Sequence, residues 1–341
     1  MATTFAVPDG RVAMAATTYT GTGATRAVSN AVNTVSFQPD LVWIKDRTTA
    51  YSHILFDTIR GAGNYLISNG TLVETTDTNY MSAFTSTGFS VGTSAVSNGN
   101  TENYVGWQWK AGGTAVSNTA GTITSSVSAN TTAGFSVVTY TGTGANATVG
   151  HGLGVAPGLI LIKARASAYD WTVYHSAIGA TKYLVLDGTS AAGTDTTAFN
   201  NTAPTSTVFS LGSAVWANSG TMVAYCWAPV AGYSAFGSYT GNGSADGPFI
   251  YTGFRPRWLM IKSSSGAFNW FIEDASRNTT NVTGLDLSPN LSDAEANNSP
   301  TFDFLSNGFK LRNTYTSQNG SGSTYIYAAF AENPLKYSNA R

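Results

Sequence analysis

The sequence predicts an all-β protein built from three tandem β-sandwich domains of the jelly-roll or lectin-like type. One observation is that four landmarks recur three times in the same order, about 100 residues apart. The other is that the periodic segments alternate apolar and polar residues with the period of two that is typical of β-strands. A repeat of this length is too long for a solenoid and large enough to bury its own core. Helical turns are expected only near 58–66 and 292–296.

The landmarks are a Tyr-Thr-Gly-x-Gly block, a proline before an apolar strand that ends in lysine, a Phe-x-[Val/Leu] block and a closing aromatic strand. They lie at Tyr19, Pro39, Phe89 and Trp109 in the first repeat, at Tyr140, Pro157, Phe209 and Trp227 in the second, and at Tyr239, Pro256, Phe309 and Phe330 in the third. Such a recurrence predicts one fold used three times, with the prolines at equivalent strand starts and Trp109, Trp227 and Phe330 as buried core anchors.

The repeats set the predicted domain boundaries. These are an N-terminal arm 1–16, a first β-sandwich 17–113, a linker 114–132, a second β-sandwich 133–231, a third β-sandwich 232–334 and a C-terminal tail 335–341. The arm contains apolar residues, among them Phe5, Val7 and Met14, with no domain of their own to bury them. It is therefore predicted to be a docking strand against a neighbouring chain.

Local chemistry supports the strand assignments. The run Leu41–Ile44 is apolar on both faces, which predicts a central strand that is covered on each side. A proline just before it sits where a missing N–H costs nothing. The Gly-rich blocks and the Asn-Gly clusters are predicted to be turns, since no helix opens after them and no phosphate-binding pattern is present.

Composition excludes several classes of function. Charged residues make up 10% of the chain, against roughly 25% in ordinary domains. The net charge is −1 and no basic run is present, so nucleic-acid binding is not expected. No apolar stretch is long enough to span a bilayer, and the N-terminus lacks the pattern of a secretory signal. The single cysteine, Cys226, is predicted to be a buried structural thiol rather than a nucleophile.

Three lysines occupy one column of the repeats. Lys45, Lys163 and Lys262 each end the apolar strand that follows the proline. A lysine at a strand end usually lays its stem over apolar surface and keeps its amine in water, so this reading is preferred to a role in ligand binding.

An acid and an arginine recur three residues apart. Asp57 and Arg60 match Asp274 and Arg277, whereas the second repeat has His175 and Ile178 at these places. Because the second repeat loses both partners together, a hydrogen-bonded pair that ties a turn is the preferred interpretation. A sugar-binding aspartate is the alternative.

A further column is aromatic. It consists of His53, Trp171 and Trp270, each preceded two residues earlier by Tyr51, Tyr169 and Phe268. Rings near a loop can stack on the face of a sugar, but strand-core rings are the preferred interpretation.

No constellation predicts catalysis. The histidines His53, His151 and His175 are scattered, no nucleophile elbow is present, and the acids are not shared by all three repeats. We therefore assign no catalytic, cofactor-binding or metal-binding residue, expect no cofactor and no enzymatic activity, and leave the ligand-binding residues unknown.

Several longer motifs resemble an uncharacterised domain family of tailed bacteriophages, marine ones especially. They are Phe37–Arg47, His53–Asp57, Val105–Gly113, Tyr140–Gly154, Ser238–Gly243, Asp303–Arg312 and Ala329–Pro334. Members are usually described as tail-fibre, tail or other virion structural proteins. The resemblance therefore implies a structural component of the virion.

From the resemblance we expect a protein assembled in the host cytoplasm and exposed on the virion surface. The favoured role is a tail-fibre, receptor-binding adhesin that recognises host surface glycan. The alternative is a capsid decoration or other structural protein that stabilises the particle, and a polysaccharide-degrading enzyme is a third class. The expected partners are other virion proteins and further copies of this chain, with a homotrimer attached by its N-terminal portion favoured because linked weak sites gain avidity.

Overall fold

Strands dominate the computed structural model, which describes residues 6–331 and confirms the all-β class. The few helical elements are a 3-10 turn η1 (Gly10–Val12) and four single turns, α1 (Ala95–Asn98), α2 (Thr196–Phe199), α3 (Val215–Asn218) and α4 (Thr316–Asn319). The prediction of helical turns near 58–66 and 292–296 was wrong. A hydrogen-bonded turn leads into a strand at the first place, and an irregular segment leads into a strand at the second.

Unit one, residues 14–109, is a sandwich of two sheets. Its strands are β1 (Met14–Thr20), β2 (Arg26–Ser29), β3 (Leu41–Asp46), β4 (Ile54–Asp57), β5 (Asn64–Ile67), β6 (Thr75–Thr76), β7 (Met81–Thr85), β8 (Gly88–Val91) and β9 (Asn103–Trp109). The inner sheet has the order β1-β9-β3-β4-β5-β6, and the outer sheet has the order β2-β8-β7.

Unit two, residues 116–227, has a longer inner sheet. Its strands are β10 (Val116–Asn118), β11 (Ser125–Asn130), β12 (Phe135–Thr143), β13 (Ala147–Gly150), β14 (Leu159–Ala164), β15 (Thr172–His175), β16 (Lys182–Val185), β17 (Gly193–Thr194), β18 (Val208–Leu211) and β19 (Ser219–Trp227). The inner sheet has the order β10-β11-β12-β19-β14-β15-β16-β17, and β13 pairs with β18 in the outer sheet.

The predicted linker 114–132 contains β10 and β11, two strands of that inner sheet. Strand β11 pairs with β12, so that Val127 lies opposite Val138 and both are buried. The Ser- and Thr-rich composition hid a strand whose serines are themselves buried, since Ser125 and Ser128 are at most 3% exposed and Ser125 donates to the Gly150 carbonyl at 2.9 Å.

Unit three, residues 234–331, has the third pair of sheets. Its strands are β20 (Ser234–Thr240), β21 (Phe249–Tyr251), β22 (Pro256–Ser263), β23 (Trp270–Asp274), β24 (Leu285–Asp286), β25 (Ala296–Asn297), β26 (Phe302–Leu305), β27 (Gly308–Leu311) and β28 (Thr324–Ala331). The inner sheet has the order β20-β28-β22-β23 and continues through a bridge from Ile272 to Leu287 into the β24-β25 hairpin. The outer sheet has the order β21-β27-β26.

The strand order repeats from unit to unit. In each inner sheet the closing strand lies between an early strand and the strand that carries or follows the recurrent proline, as in β1-β9-β3, β12-β19-β14 and β20-β28-β22. Pro39 and Pro157 stand two residues before β3 and β14, and Pro256 is the first residue of β22. The prolines therefore occupy equivalent places, as expected.

The units bury apolar residues on both faces of their inner sheets. Val42 and Ile44 of β3 point into the sandwich of unit one, whereas Leu41 and Trp43 point the other way into a core that all three units share. The sandwiches of units two and three have their own interior clusters in the same way. Because one core spans all three units, the division into three separate domains stays a prediction.

An aromatic triad lies within the shared core. The ring centroids of Trp109 and Trp227 are 5.7 Å apart, those of Trp109 and Phe330 are 5.7 Å apart, and those of Trp227 and Phe330 are 6.5 Å apart. All three residues are at most 3% exposed, which confirms them as core anchors. Each unit contributes one ring, so the triad joins the three closing strands.

The described part of the N-terminal arm belongs to the same core. Val7, Ala13 and Met14 are buried in it, and β1 already begins at Met14. The expectation that the arm lacks a core of its own was therefore wrong for these residues, while Phe5 and the tail 335–341 lie outside the described part of the chain. The arm residues pack against their own chain because the shared core extends beyond unit one.

The recurrent Tyr-Thr-Gly-x-Gly block forms a turn that a buried asparagine holds. Asn98 accepts a hydrogen bond from the Thr22 amide at 2.9 Å, and its side-chain amide donates to the carbonyls of Ala24 and Gly92. A Cβ on Gly21 would lie 2.1 Å from the Gly99 carbonyl oxygen, so only glycine fits there. Asn218 and Asn319 hold the other two blocks in the same way, which explains why the block recurs.

Candidate functional site

The predicted Asp57–Arg60 pair is confirmed, and it lies at the contact between units one and two. The Arg60 Nε donates to Asp57 Oδ2, and both side chains are fully buried. Tyr225 of unit two donates to the same carboxylate at 2.8 Å and accepts from Arg60 at 3.0 Å. The pair therefore joins two units, in addition to tying a turn within one.

The Asp274–Arg277 pair is confirmed in the same way, at the contact between units three and one. Arg277 Nε lies 2.6 Å from Asp274 Oδ2, and the indole N–H of Trp107 in unit one donates to that oxygen at 2.9 Å. Burial raises the pKa of Asp274, but the charge of Arg277 and these hydrogen bonds outweigh it and hold the pKa below its ordinary value. Since these carboxylates are fully buried, the alternative of a sugar-binding aspartate was wrong.

A glutamate and a second arginine extend each of these two contacts. Glu74 lies 2.7 Å from Arg165 of unit two and 3.1 Å from Arg60. Glu295 lies 2.7 Å from Arg47 of unit one and 2.8 Å from Arg277. Both contacts thus hold four alternating charges with no net charge.

The contact between units two and three has no such charges. The corresponding positions are His175, Ile178, Ala192 and Ser264. The His175 Nδ1 accepts from the Ala177 amide at 3.2 Å, so its Nε2 carries the hydrogen and donates to the Tyr327 carbonyl at 3.0 Å. Burial lowers the pKa of His175 to about 4, which keeps the ring neutral.

The lysine column differs from its prediction. Lys45, Lys163 and Lys262 are fully buried. The expectation that their amines lie in water was therefore wrong. Lys163 donates to the Thr71 carbonyl of unit one at 3.1 Å, and Lys262 donates to the Thr189 carbonyl of unit two at 3.0 Å. Desolvation lowers the pKa of each lysine to about 8. The cause is the next unit, which covers the strand end that a lone sandwich would leave in water.

The column of His53, Trp171 and Trp270 belongs to the core, as preferred. All three side chains are at most 1% exposed. The indole N–H of Trp171 donates to the Ile67 carbonyl of unit one at 2.7 Å, and that of Trp270 donates to the Val185 carbonyl of unit two at 2.9 Å. These rings are therefore not available to stack on a ligand.

Exposed aromatic rings lie elsewhere, on the outer sheet of unit three. Phe249 is 44% exposed and Tyr251 is 69% exposed, whereas Ile250 between them is buried. The two rings alternate with Ile250 along the edge strand β21, so they share the outward face of the sheet. Phe249 lies opposite Lys310 of β27, and Tyr251 lies opposite Gly308.

Charged groups continue this face across the sheet. Lys310 lies opposite Asp303 of β26, and its amine is 2.8 Å from the exposed carboxylate of Asp246. Arg312 Nε lies 2.5 Å from Asp303 Oδ2. A hydrogen bond from Lys310 and its charge lower the pKa of Asp246. We call Phe249, Tyr251, Asp303, Lys310 and Arg312 the aromatic platform.

Glycines make room for the rings of the platform. A Cβ on Gly308 would lie 2.9 Å from the Phe249 ring and 2.0 Å from the Ile250 carbonyl oxygen, so the strand and the ring both come close to this residue. Gly253 has a φ of +85°, and the Tyr251 hydroxyl lies 3.6 Å from where its Cβ would be. The platform is thus shaped by the backbone beneath it.

The other units have small residues at these places. Ala27 and Ser29 of β2 correspond to Phe249 and Tyr251, as do Thr148 and Gly150 of β13. Ser90 and Ser210 take the place of Lys310. Comparing the three repeats position by position would have found the platform in the sequence, but its residues lie outside the four landmarks.

A buried pair of acids lies inside unit three. Glu273 and Asp286 are at most 4% exposed, and Thr301 donates to Glu273 while Asn298 donates to Asp286 at 3.1 Å. Burial, and then the neighbouring carboxyl of Asp286, raises the pKa of Glu273 well above its ordinary value. Because the sandwich encloses both carboxyls, this pair has no room for a glycosidic bond between its members.

Other candidate groups are structural. Cys226 is fully buried, and burial raises the pKa of its thiol, as expected for a structural residue. Among residues 6–331 no three His, Cys, Asp or Glu side chains group as metal ligands would. In the same range, none of the helices has the length and apolar character needed to cross a membrane.

Comparison with known proteins gives one match. The sequence profile of a family described only as a domain of unknown function matches residues 12–334. No curated protein and no solved structure matches the chain.

Proposed function

Since the chain belongs to the DUF7483 family of domains of unknown function, we propose its function from its own surface and from the resemblance of its motifs. We propose a non-enzymatic protein of the virion surface, a tail-fibre adhesin that recognises host surface glycan through the aromatic platform. In this proposal the chain consists of three copies of one β-sandwich unit, and the third copy has acquired the binding face.

One observation carries the proposal. Tyr251 and Phe249 hold large rings in water at positions where the same framework elsewhere carries Ala27, Ser29 or Thr148. Exposing such rings gains nothing for folding, because folding favours their burial. Exposed aromatic residues grouped with charged ones are typical of a binding site.

The chemistry of the platform suits a sugar. The apolar face of a pyranose packs on an aromatic ring, while its hydroxyls need hydrogen-bond partners at the edge of that ring. Lys310 and Arg312, whose side chains are 23% and 37% exposed, supply donors on the same face, and the Asp303 carboxylate beneath them holds Arg312 in place. The arrangement offers stacking at the edge strand and polar contacts on the two inner strands.

Attachment and assembly are part of the proposal. Met14 pairs with Trp109, and Ala331 follows Phe330 in β28, so both residues lie beside the aromatic triad. Attachment of the chain to the particle near the aromatic triad leaves the outer sheets exposed. A homotrimer, with one platform on each chain, would raise the avidity of weak glycan binding by about 10²–10⁴.

The test removes the rings and leaves the sheet. The double variant Phe249→Ala/Tyr251→Ala is expected to lose at least about tenfold in binding to an array of bacterial capsular and lipopolysaccharide glycans. Tyr315→Ala is the matched control, because Tyr315 is also 44% exposed in unit three but lies outside the platform. Unfolding temperatures of the three proteins check that they are folded.

Undiminished array binding by the double variant would contradict the platform as the site. If the wild type binds no glycan, and if the particle contains hundreds of copies on its shell, the chain is a decoration protein, the alternative expected from the sequence.

A further inference from the structure

A cleft of about 320 Å³ opens at the contact between units two and three. Its lining includes Ile178, Lys182, Ala192, Ser264 and Thr324. We call it the two–three cleft. Its volume falls within the roughly 300–1,000 Å³ that is typical of small-molecule sites.

The same place is filled at the other two contacts. Ile178, Ala192 and Ser264 correspond to Arg60, Glu74 and Arg165, the three charged residues that join units one and two. The corresponding set at the three–one contact is Arg277, Glu295 and Arg47. The two–three contact thus has three short side chains where the others have two arginines and a glutamate.

The backbone at the three contacts is nevertheless the same. The Ala192 amide donates to the Ser264 carbonyl at 3.0 Å, as Glu74 donates to Arg165 at 2.8 Å and Glu295 donates to Arg47 at 2.9 Å. The units therefore approach equally closely, and the cleft results from the loss of side chains rather than from a separation of the sheets.

The loss also leaves one backbone acceptor, the Lys182 carbonyl, at the edge of the cleft. Arg60 donates to the Asn64 carbonyl at 3.2 Å, and Arg277 donates to the Leu285 carbonyl at 2.6 Å. Lys182 is the corresponding residue of unit two, and within residues 6–331 no side chain donates to its carbonyl. The Lys182 amine is exposed and forms no ion pair with any other described residue.

We infer that the two–three cleft binds an acidic sugar, that is, a monosaccharide residue with a carboxylate. The hydroxyls of Ser264, Ser265 and Thr324 match ligand hydroxyls, Ile178 and Ala192 offer an apolar wall, and Lys182 pairs with the carboxylate. This inference rests on the proposed glycan binding. It adds a second subsite with its own chemistry, and this subsite shares no residue with the aromatic platform.

The decisive variant restores the missing side chains. Ile178→Arg/Ala192→Glu/Ser264→Arg places in the cleft the residues that fill it at the other contacts. With glucuronate as the probe and glucose as its neutral counterpart, ligand-observed NMR is expected to show millimolar or tighter binding of glucuronate to the wild type. We expect at least a tenfold loss in the refilled variant and weaker or no binding of glucose.

A second variant keeps the test valid if the refilled protein does not fold. Lys182→Ala is expected to weaken glucuronate binding at least about fivefold, with Lys110→Ala, another exposed lysine, as the matched control. Equal binding of glucuronate and glucose, or unchanged binding in Lys182→Ala, would overturn the acidic sugar as ligand. Failure of the wild type to bind glucuronate would overturn the cleft as a site.

The two proposals fail separately. Array binding that depends on Phe249 and Tyr251, together with no glucuronate signal, would sustain the platform and remove the cleft. A glucuronate signal that the refilled variant loses, together with array binding that ignores the platform rings, would do the reverse.

Discussion

The two charged contacts and the neutral one solve the same packing problem with different chemistry. Asp57 and Asp274 each accept from a buried arginine and from an aromatic side chain of the next unit, whereas His175 donates a single hydrogen bond from a neutral ring. The hydrogen bond between the backbones, from Ala192 to Ser264, persists without the charges. The closure of the three units therefore does not require buried ions.

The difference between the contacts separates what holds the three units together from what orients the side chains between them. A buried ion pair repays its desolvation only when its geometry is good, and apolar residues of similar volume often stabilise as much. The shared core and the aromatic triad are common to all three contacts, so they account for the closure. The acidic side chains determine how each buried arginine is oriented. The contact without these charges contains the two–three cleft.

The largest expected effect comes from removing one member of a charged contact. Asp274→Ala deprives Arg277 and Trp107 of their common acceptor and leaves the buried guanidinium with Glu295 as its one remaining acidic partner among the described residues. We expect the free energy of unfolding to fall by about 3–5 kcal/mol, measured by urea denaturation with tryptophan fluorescence. Asp293→Ala, an exposed acid of the same unit, should change it by less than about 0.5 kcal/mol. A loss below about 1 kcal/mol for Asp274→Ala would mean that the carboxylate is dispensable.

A smaller effect is expected when both members are exchanged together for those of the neutral contact. Arg60→Ile alone leaves the carboxylate of Asp57 buried and should cost about 3–5 kcal/mol. Asp57→His/Arg60→Ile reproduces the residues of unit two and should cost only about 1–2 kcal/mol, because no charge is left unpaired. A double-mutant cycle measures the coupling. Strict additivity of Asp57→His and Arg60→Ile would refute the equivalence of the two kinds of contact.

The smallest effect concerns the lysine that every contact shares. The folded chain releases the proton of Lys262 near pH 8, whereas an unfolded lysine keeps it to about 10.5. Between these values the unfolded state binds more protons, so the free energy of unfolding rises with pH, by at most about 1 kcal/mol per pH unit for each lysine. Lys262→Met should flatten the slope between pH 8 and 9.5, and Lys110→Met should not. Above pH 10 the slope reverses, because burial raises the pKa of tyrosines such as Tyr233. A slope unchanged in Lys262→Met would show that its amine stays charged.

The repeats predict much of each unit and little of how the units meet. The position of Pro39, the anchor Trp109 and the Asp57–Arg60 pair follow from local pattern, because period-two alternation and a spacing of three residues are properties of the chain itself. The run Leu41–Ile44, apolar on both faces, predicted a second cover for β3. It does not say that the cover is the other two repeats, since the partner of a sheet face is set by tertiary packing.

The candidate sites were missed for a related reason. The second repeat visibly lacks the Asp–Arg pair, but Ile178, Ala192 and Ser264 meet only across a contact between units. Phe249 and Tyr251 lie in a short strand between landmarks, where an unbroken run of large apolar residues conceals the alternation of exposed and buried side chains. The lysine column was misread because an exposed strand end was assumed, and Thr71 and Thr189 supply carbonyls from neighbouring units instead.

The aromatic triad has a consequence for synthesis of the protein. Unit one can pair its strands once Trp109 has left the ribosome, but the apolar face formed by Leu41 and Trp43 is not fully covered until Phe330 arrives. At about 5–20 residues per second this interval is on the order of 10–40 seconds. During this interval the nascent chain exposes an apolar sheet face, to which a chaperone or a neighbouring nascent chain can bind. Translation speed between units one and three should therefore govern the yield of folded protein.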